Sequence, residues 1–369
     1  MAAVVQQERL DALLGRASRE VDAGRLPSCQ LAVAREGELV HVATLGAATD
    51  ETRYLTFSVT KALVAAAVWV AIGDGRLRPE TRVSEHVPSF ARAHFDAVTL
   101  QHLLTHTAGF PRAPLPPLDG ATSKGRASWF ERWRLEWEPG TRTEYSPTAG
   151  HWVVADLLER ATGVAYKSYV AEHVIAPLGL RHLQLGVPIE QQSDMVDAVA
   201  VGLDEDPDES APVVVTPDGM LEMDRPDVRA VGVPGAGAVS TAADIALLYQ
   251  AFLHNPGGLW DRGVLADATG RIRNALIDPW TKVPANRSLG LVIAGDDGNA
   301  AMRDALGRSV GPRAFGASGA SGQVAWADPD TGLSFCYLTN GLEADQVKAF
   351  MRSASVSTLA GRLLLESGT

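Results

Sequence analysis

Apolar positions recur with helical spacing from the start of the chain: Leu10, Leu13, Leu14 and Val21 share one side of a predicted helix over residues 6–23. The pattern then changes. "QLAVAREGELVHVATLG" places two β-rich runs around "REGE", which predicts an antiparallel hairpin. Residues 58–74 form an apolar, alanine-rich helix ending at Gly73 and Gly75. "VTLQHLLTHTAGF" reads as a short helix ended by Gly109, and residues 111–120 as a proline-rich loop. Trp129, Trp133 and Trp137 fall at four-residue spacing within residues 124–137, a stripe that predicts core or pocket wall. "EPGTRTEYSP" is a turn-rich connector, and residues 149–162 form another amphipathic helix stopped at Gly163.

Residues 202–228 are acidic and hold four prolines, which predicts a solvated excursion or rim loop. Beyond them Ser240 or Thr241 is positioned to cap a helix beginning near 242. "SLGLVIAG" and "GQVAWADPDTGLSFCYLTN" supply further strands, the second a hairpin turning at "DPDTG". A last helix is expected over 343–366. Strand signals thus cluster at the two ends of the sequence and helices fill the middle. The expected fold is α/β (α+β): one antiparallel sheet built from both ends and flanked by helices, with a mostly helical lobe inserted. Residues 1–57 and 230–369 are assigned to the sheet part and 58–229 to the lobe.

Composition narrows the function. The 369 residues are 46% hydrophobic and 21% charged, enough for a large core. A net charge of −11 argues against general attraction to nucleic acid or anionic lipid. No run approaches 18 uncharged apolar residues, so no membrane span is expected. The first residues lack the basic and apolar regions of a secretory signal, and a cytoplasmic location is the expectation. Cys29 and Cys336 sit in strand-like runs and read as buried free thiols.

The first candidate chemistry is in "TFSVTKALVA". Ser58 and Lys61 are three apart, on one face of a helix start. A serine hydroxyl becomes a nucleophile when a base takes its proton, and lysine is such a base if burial keeps it neutral. The same spacing also describes a capping serine with a snorkelling lysine. At average frequencies Ser-x-x-Lys occurs about once by chance in a chain of this length, so spacing alone leaves both readings open.

Five segments in order change that: "FSVTKALVAAAVWVAIGDGRL", "VTLQHLLTHTAGF", "WEPGTRTEYSPTAGHWVVADLLERATG", "GAGAVSTAADIALLYQAFL" and "FGASGASGQVAWADPDTGLSFCYLTNG". Together they resemble the serine β-lactamase-like family, which includes class C β-lactamases, DD-peptidases and family VIII carboxylesterases. The resemblance spans roughly residues 25–365 and is closest in character to the family VIII esterases. It implies Ser58 as nucleophile, Lys61 as base and Tyr145 of "EYSP" as the tyrosine that shares proton transfer. It further implies "ASGA", Ala317 to Ala320, as the motif on the strand beside the site. The backbone N–H groups of Ser58 and Ala320 would form the oxyanion hole. Substrate contacts would fall to Ala317, Ser318, Gly319, Pro147 and Trp133.

Two positions depart from the family pattern. Pro147 stands where β-lactamases and peptidases have an asparagine that contacts a substrate amide. Ala317 stands where a lysine, histidine or tryptophan is common, so a cationic anchor is missing from that motif. Both changes bear on penicillin-like and peptidyl substrates and leave nucleophile, base and tyrosine intact. The expectation is therefore a serine carboxylesterase with weak or no β-lactam hydrolysis and a small-molecule ester as its partner. An acyltransferase and a non-catalytic binding protein on the same scaffold are the alternatives. Ser318 approaches a Gly-x-Ser-x-Gly elbow, but a strand rather than a helix follows it. His102 and His106 have the spacing of a zinc pair, yet "HLLTH" lacks the glutamate of HExxH. The acidic stretch lacks a calcium-loop pattern, and neither metal nor cofactor is expected.

Overall fold

The structure, a computed structural model, describes residues 5–202 and 216–364. Six antiparallel strands form the main sheet, in the spatial order Glu38–Gly46, Ser28–Arg35, Leu333–Thr339, Gln323–Asp328, Phe315–Gly319 and Val292–Ile293. The sheet is therefore assembled from the two ends of the sequence, with helices between, as the pattern of strand and helix signals predicts. Glu36 and Gly37 turn the first hairpin, both with positive φ (55° and 83°), which matches the twist of a two-residue loop.

Alternation along the strands divides the core. Leu31, Val33, Phe335, Tyr337 and Trp326 face the helices Gln7–Asp22 and Gln346–Ala360, which pack on each other. Ala32, Ala34, Cys336, Leu338 and Ala327 face the opposite way, toward the helix Ala242–His254. Thr241 is the residue that caps this helix, accepting from the Asp244 N–H. The helix Thr60–Gly73 is buried over almost its whole length, which explains why its sequence is apolar all round. Cys29 and Cys336 are free and buried. Among the described residues no helix is long and apolar enough to cross a membrane.

Three expectations are corrected. Trp133, expected among the substrate contacts, is buried in the core beyond the end of the helix Ser123–Phe130, as the core reading of the stripe has it. The acidic stretch 202–228 is not simply a solvated loop. Its residues 203–215 lie outside the described residues, but Pro217–Met223 and Pro226–Val231 are helices. Pro217 and Pro226 occupy the first helical position, where their missing N–H costs nothing. Buried Asp224 pairs with Arg229 at 2.7 Å. The last helix is Gln346–Ala360 rather than 343–366, because Gly341–Glu343 is a strand paired in parallel with Val199–Val201 and Asp345 caps the helix.

Candidate active site

Ser58 does not cap the helix that follows it. It sits in a 3₁₀ turn, Phe57–Val59, ahead of the α-helix, and neither element has a side-chain cap. The turn is entered through Phe57 at φ 44°, a left-handed conformation that is costly for a bulky residue and holds only where surrounding structure enforces it. That enforcement is visible. The strand Tyr54–Leu55 pairs with Ala238–Ser240, the Thr56 N–H donates to the Ala238 carbonyl at 2.9 Å, and the Ala238 N–H donates to Thr60 Oγ1 at 3.0 Å.

Lys61 does not snorkel. It is 4% exposed, and its Nζ lies 3.0 Å from Ser58 Oγ, 2.7 Å from the Pro147 carbonyl and 2.8 Å from the Gly235 carbonyl. A neutral amine has two N–H groups and one lone pair. Two carbonyls can accept only from the N–H groups, so the third direction, toward Ser58, is left for the lone pair. Burial, reinforced by the positive charge of Arg287 and partly offset by Asp304, pushes the amine down to about 7.

Tyr145 lies on the connector before the helix Ala149–Thr162, partly buried. Its ring centroid is 4.7 Å from that of His106 and 5.0 Å from Lys61 Nζ, and it lines the same cavity as Ser58. Burial holds this phenol well above its ordinary value, so at neutral pH it is a proton donor. His106 accepts from the Ser146 N–H through Nδ1 at 3.1 Å, and His102 accepts from the Thr99 N–H at 3.2 Å. Each histidine of the zinc-like spacing is thus engaged with backbone. Among the described residues no cluster of three or more histidine, cysteine or acidic side chains is placed to hold a metal.

The strand Phe315–Gly319 runs against the nucleophile turn. A Cβ on Gly319 would stand 2.6 Å from the Thr56 carbonyl, so only glycine permits this approach. Ser318, Gly319 and Ala320 border a cavity of about 150 Å³ that also exposes Ser58 and Tyr145. Its apolar wall is formed by Met220, Trp280, Val292, Met302 and Phe350, with the Trp280 and Phe350 rings edge-to-face at 5.2 Å. Arg287 and Asp304 supply charge beside Tyr145, the guanidinium standing 5.4 Å from the ring centroid.

Of the substrate contacts expected from sequence, Ser318 and Gly319 line this cavity. The other three do not. Ala317 is buried within the strand. Pro147 acts through its carbonyl on Lys61. Trp133 is packed among Phe110 and Phe130 and donates to the Pro114 carbonyl, in the core rather than on the cavity wall. Four contributors went unread in the sequence: the carbonyls of Pro147 and Gly235, and the side chains of Arg287 and Asp304. Backbone carbonyls leave no residue-type signal. "VPGAGA" around Gly235 did carry a hint of close backbone approach.

Comparison with known proteins agrees with this geometry. Residues 13–358 match the family model described as Beta-lactamase. A protein of Escherichia coli K12, provisionally named D-alanyl-D-alanine carboxypeptidase, is 27% identical over 368 residues, covering 90% of this chain and 82% of that one. Esterase EstB of Burkholderia gladioli is 29% identical over 310 residues, covering 71% and 74%. A solved family VIII carboxylesterase superposes with a TM-score of 0.77 at 22% identity, over 97% and 98% of the two chains. The match across almost the whole sequence, the shared fold, and a buried lysine set against a serine in a strained turn lead to one assignment: the chain belongs to the beta-lactamase family of serine hydrolases.

Proposed function

We propose that the chain is a serine carboxylesterase that works through an acyl-enzyme on Ser58. The observation that carries this is the placement of Lys61 Nζ, held by two backbone carbonyls with its remaining direction at Ser58 Oγ. Ser58 Oγ attacks the ester carbonyl carbon as its proton passes to Lys61. The resulting oxyanion is received by the backbone N–H groups of Ser58 and Ala320. Collapse of the intermediate breaks the bond to the alcohol, which leaves with the proton returned through Lys61 and Tyr145. Water then attacks the acyl-enzyme, with the same two groups taking its proton and handing it to Ser58.

Preference for esters over β-lactams is supported by two positions. Pro147 offers only a carbonyl, already engaged with Lys61, and Ala317 is buried without a charge. The apolar wall of Trp280, Phe350 and Met302 suits the hydrocarbon part of an ester.

The test is turnover of p-nitrophenyl acetate and butyrate beside a chromogenic cephalosporin, with wild type and Ser58→Ala in parallel. Wild type is expected to release nitrophenol from both esters and little or no product from the cephalosporin, and Ser58→Ala to lose at least about a thousand-fold. Ester turnover that persists in Ser58→Ala would sink the mechanism.

A further inference from the structure

Apolar surface gathers at the mouth of the cavity. Among the described residues twelve large apolar side chains are exposed, and five of them either line the cavity or stand next in the chain to a residue that does. Met302 belongs to the wall itself and is 39% exposed, so the wall continues onto the surface there. The helix Gln346–Ala360 turns Gln346, Ala349, Phe350 and Ser353 to the cavity, all on one face. Val347 and Met351, one position further round the same helix, are exposed four residues apart. Leu221 follows the wall residue Met220, and Ile277, 59% exposed, precedes Asp278. An apolar rim drawn from four separate segments is not scattered surface, and exposed apolar surface of this kind marks a binding groove.

The charged groups of the wall are paired within the protein. Arg287 lies against Asp304 at 3.4 Å, Glu343 pairs with Arg352 at 2.7 Å, and Arg303 is bound to Asp297. Asp278 Oδ1 accepts from the Trp280 and Thr281 N–H groups at 2.9 Å. The mouth is instead rich in thioether: Met220, Met302 and Met351 are three of the six methionines in the chain, and their flexible side chains adapt to a hydrocarbon of varying shape.

The proton donor fixes which half of an ester meets this rim. The alcohol leaves with a proton delivered through Lys61 and Tyr145, so its oxygen lies beside Tyr145. Buried His106, 4.7 Å from the tyrosine ring, closes the way toward the core. Arg287, 5.4 Å from the same ring, begins the way out. It ends an arm, closed by the bridges Asn274–Arg287 and Ile277–Pro284, that carries Ile277 at the rim and sets Trp280 against Phe350 at 5.2 Å. The alcohol half of the ester runs along this arm to the apolar rim.

We propose that the rim is a subsite for the alcohol chain, and that the substrates are esters of long-chain aliphatic alcohols, whose chain outruns the cavity and lies on Ile277, Met302, Val347 and Met351. This rests on the esterase reading above and names its substrate class. Each further methylene that leaves water strengthens binding about four-fold at full burial, and less on an open rim.

The test follows kcat/KM for the acetate esters of ethanol, butanol, hexanol and octanol, each below its solubility limit, with acetate release as the readout. A parallel acyl series runs from p-nitrophenyl acetate to p-nitrophenyl octanoate. Octyl acetate should exceed ethyl acetate by about ten-fold or more, and the acyl series should rise less. Ile277→Ser combined with Met351→Ser should lower the octyl-to-ethyl ratio by at least about three-fold. Leu39→Ser, equally a loss of exposed apolar surface but on the edge strand opposite Val292–Ile293, should leave that ratio as it is. Because the ratio is taken within one protein, any effect on folded fraction or on the base cancels. Should the double variant fail to fold, the two wild-type series decide on their own. A flat alcohol series, or no cleavage of octyl acetate by protein that cleaves p-nitrophenyl acetate, overturns the subsite and leaves the esterase reading intact. So does a larger rise along the acyl series, or a rate that climbs only once the ester forms a separate phase. Cleavage of no ester in either series overturns the esterase reading and this inference with it.

Discussion

The Lys61 amine is held 2.7 Å from the carbonyl oxygen of Pro147, at the position where the sequence resemblance places an asparagine in β-lactamases and peptidases. The substitution removes a side-chain donor and leaves the backbone acceptor that orients the base. Proline also fixes its own φ, which makes the carbonyl's position less dependent on what the cavity holds. With the Gly235 carbonyl opposite, the amine is aimed by backbone alone.

The first consequence is a pH profile. Burial and Arg287 push Lys61 down to about 7, and catalysis needs the neutral amine. On an uncharged ester, kcat/KM should rise about ten-fold per unit at acidic pH, bend near pH 7 and then level. A midpoint above pH 9 would show Lys61 to be solvated in solution. Stability should move in the same direction. The unfolded chain keeps this proton up to the ordinary 10.5, so it binds more protons than the folded protein between about 7 and 10.5. The contribution of Lys61 to folding stability therefore rises with pH across that window and is flat below it, which urea titrations at pH 6, 7.5 and 9 can follow.

Gly235→Ala tests the backbone aim directly. The added Cβ would stand 2.8 Å from the Pro147 carbonyl oxygen, so that carbonyl must shift and change its hold on the Lys61 amine. No left-handed φ is involved, and the fold should survive. A displacement of well under 1 Å at the base is enough to lower kcat/KM by about ten- to a hundred-fold. An unchanged rate with a native circular-dichroism spectrum would mean that these carbonyls do not set the geometry.

The sequence made Ser58, Lys61 and Tyr145 legible because each carries its own functional group and lies in a local motif. The sheet was legible because both of its strand groups alternate or run apolar over several residues. The cavity wall was not. Trp133 shares a spacing pattern with Trp129 and Trp137, but the helix stops at Phe130 and the ring turns into the core. Trp280 and Phe350, which do line the cavity, are far apart in sequence and meet only through the tertiary fold. Met220 reaches the same cavity from a stretch that prolines and acids made look like a loop, because proline starts a helix as readily as it ends one.

Tyr145→Phe separates the tyrosine from the lysine. The phenol is held protonated by burial and borders the same cavity as Ser58, so its loss removes a proton donor without removing the base. The plateau of kcat should fall by about a hundred-fold or more, while the midpoint near pH 7 stays in place because burial and Arg287 remain. A midpoint that moves by more than a unit would instead place the titration on the pair.

Arg126→Met probes the support behind the site. Arg126 and Asp156 are each 1% exposed and joined at 2.9 Å, and the same guanidinium bonds the Gly120 carbonyl and Glu159. These contacts tie the helix Ser123–Phe130 to the helix Ala149–Thr162, which follows Pro147 directly. Removing the guanidinium leaves the buried Asp156 carboxylate with Arg160 at 2.6 Å and the Ser123 hydroxyl at 3.3 Å. Breaking one side of a buried pair costs several kcal/mol, and with Arg160 still present the expected loss is about 3 kcal/mol, read as a lower urea midpoint at unchanged slope. Arg126→Lys should recover little, since an ammonium cannot reproduce three divergent contacts made by a planar fork. The folded fraction should keep its kcat/KM within about two-fold, because none of these residues touches the cavity; a larger drop at full folding would mean that the two helices transmit strain to Pro147 and through it to the base.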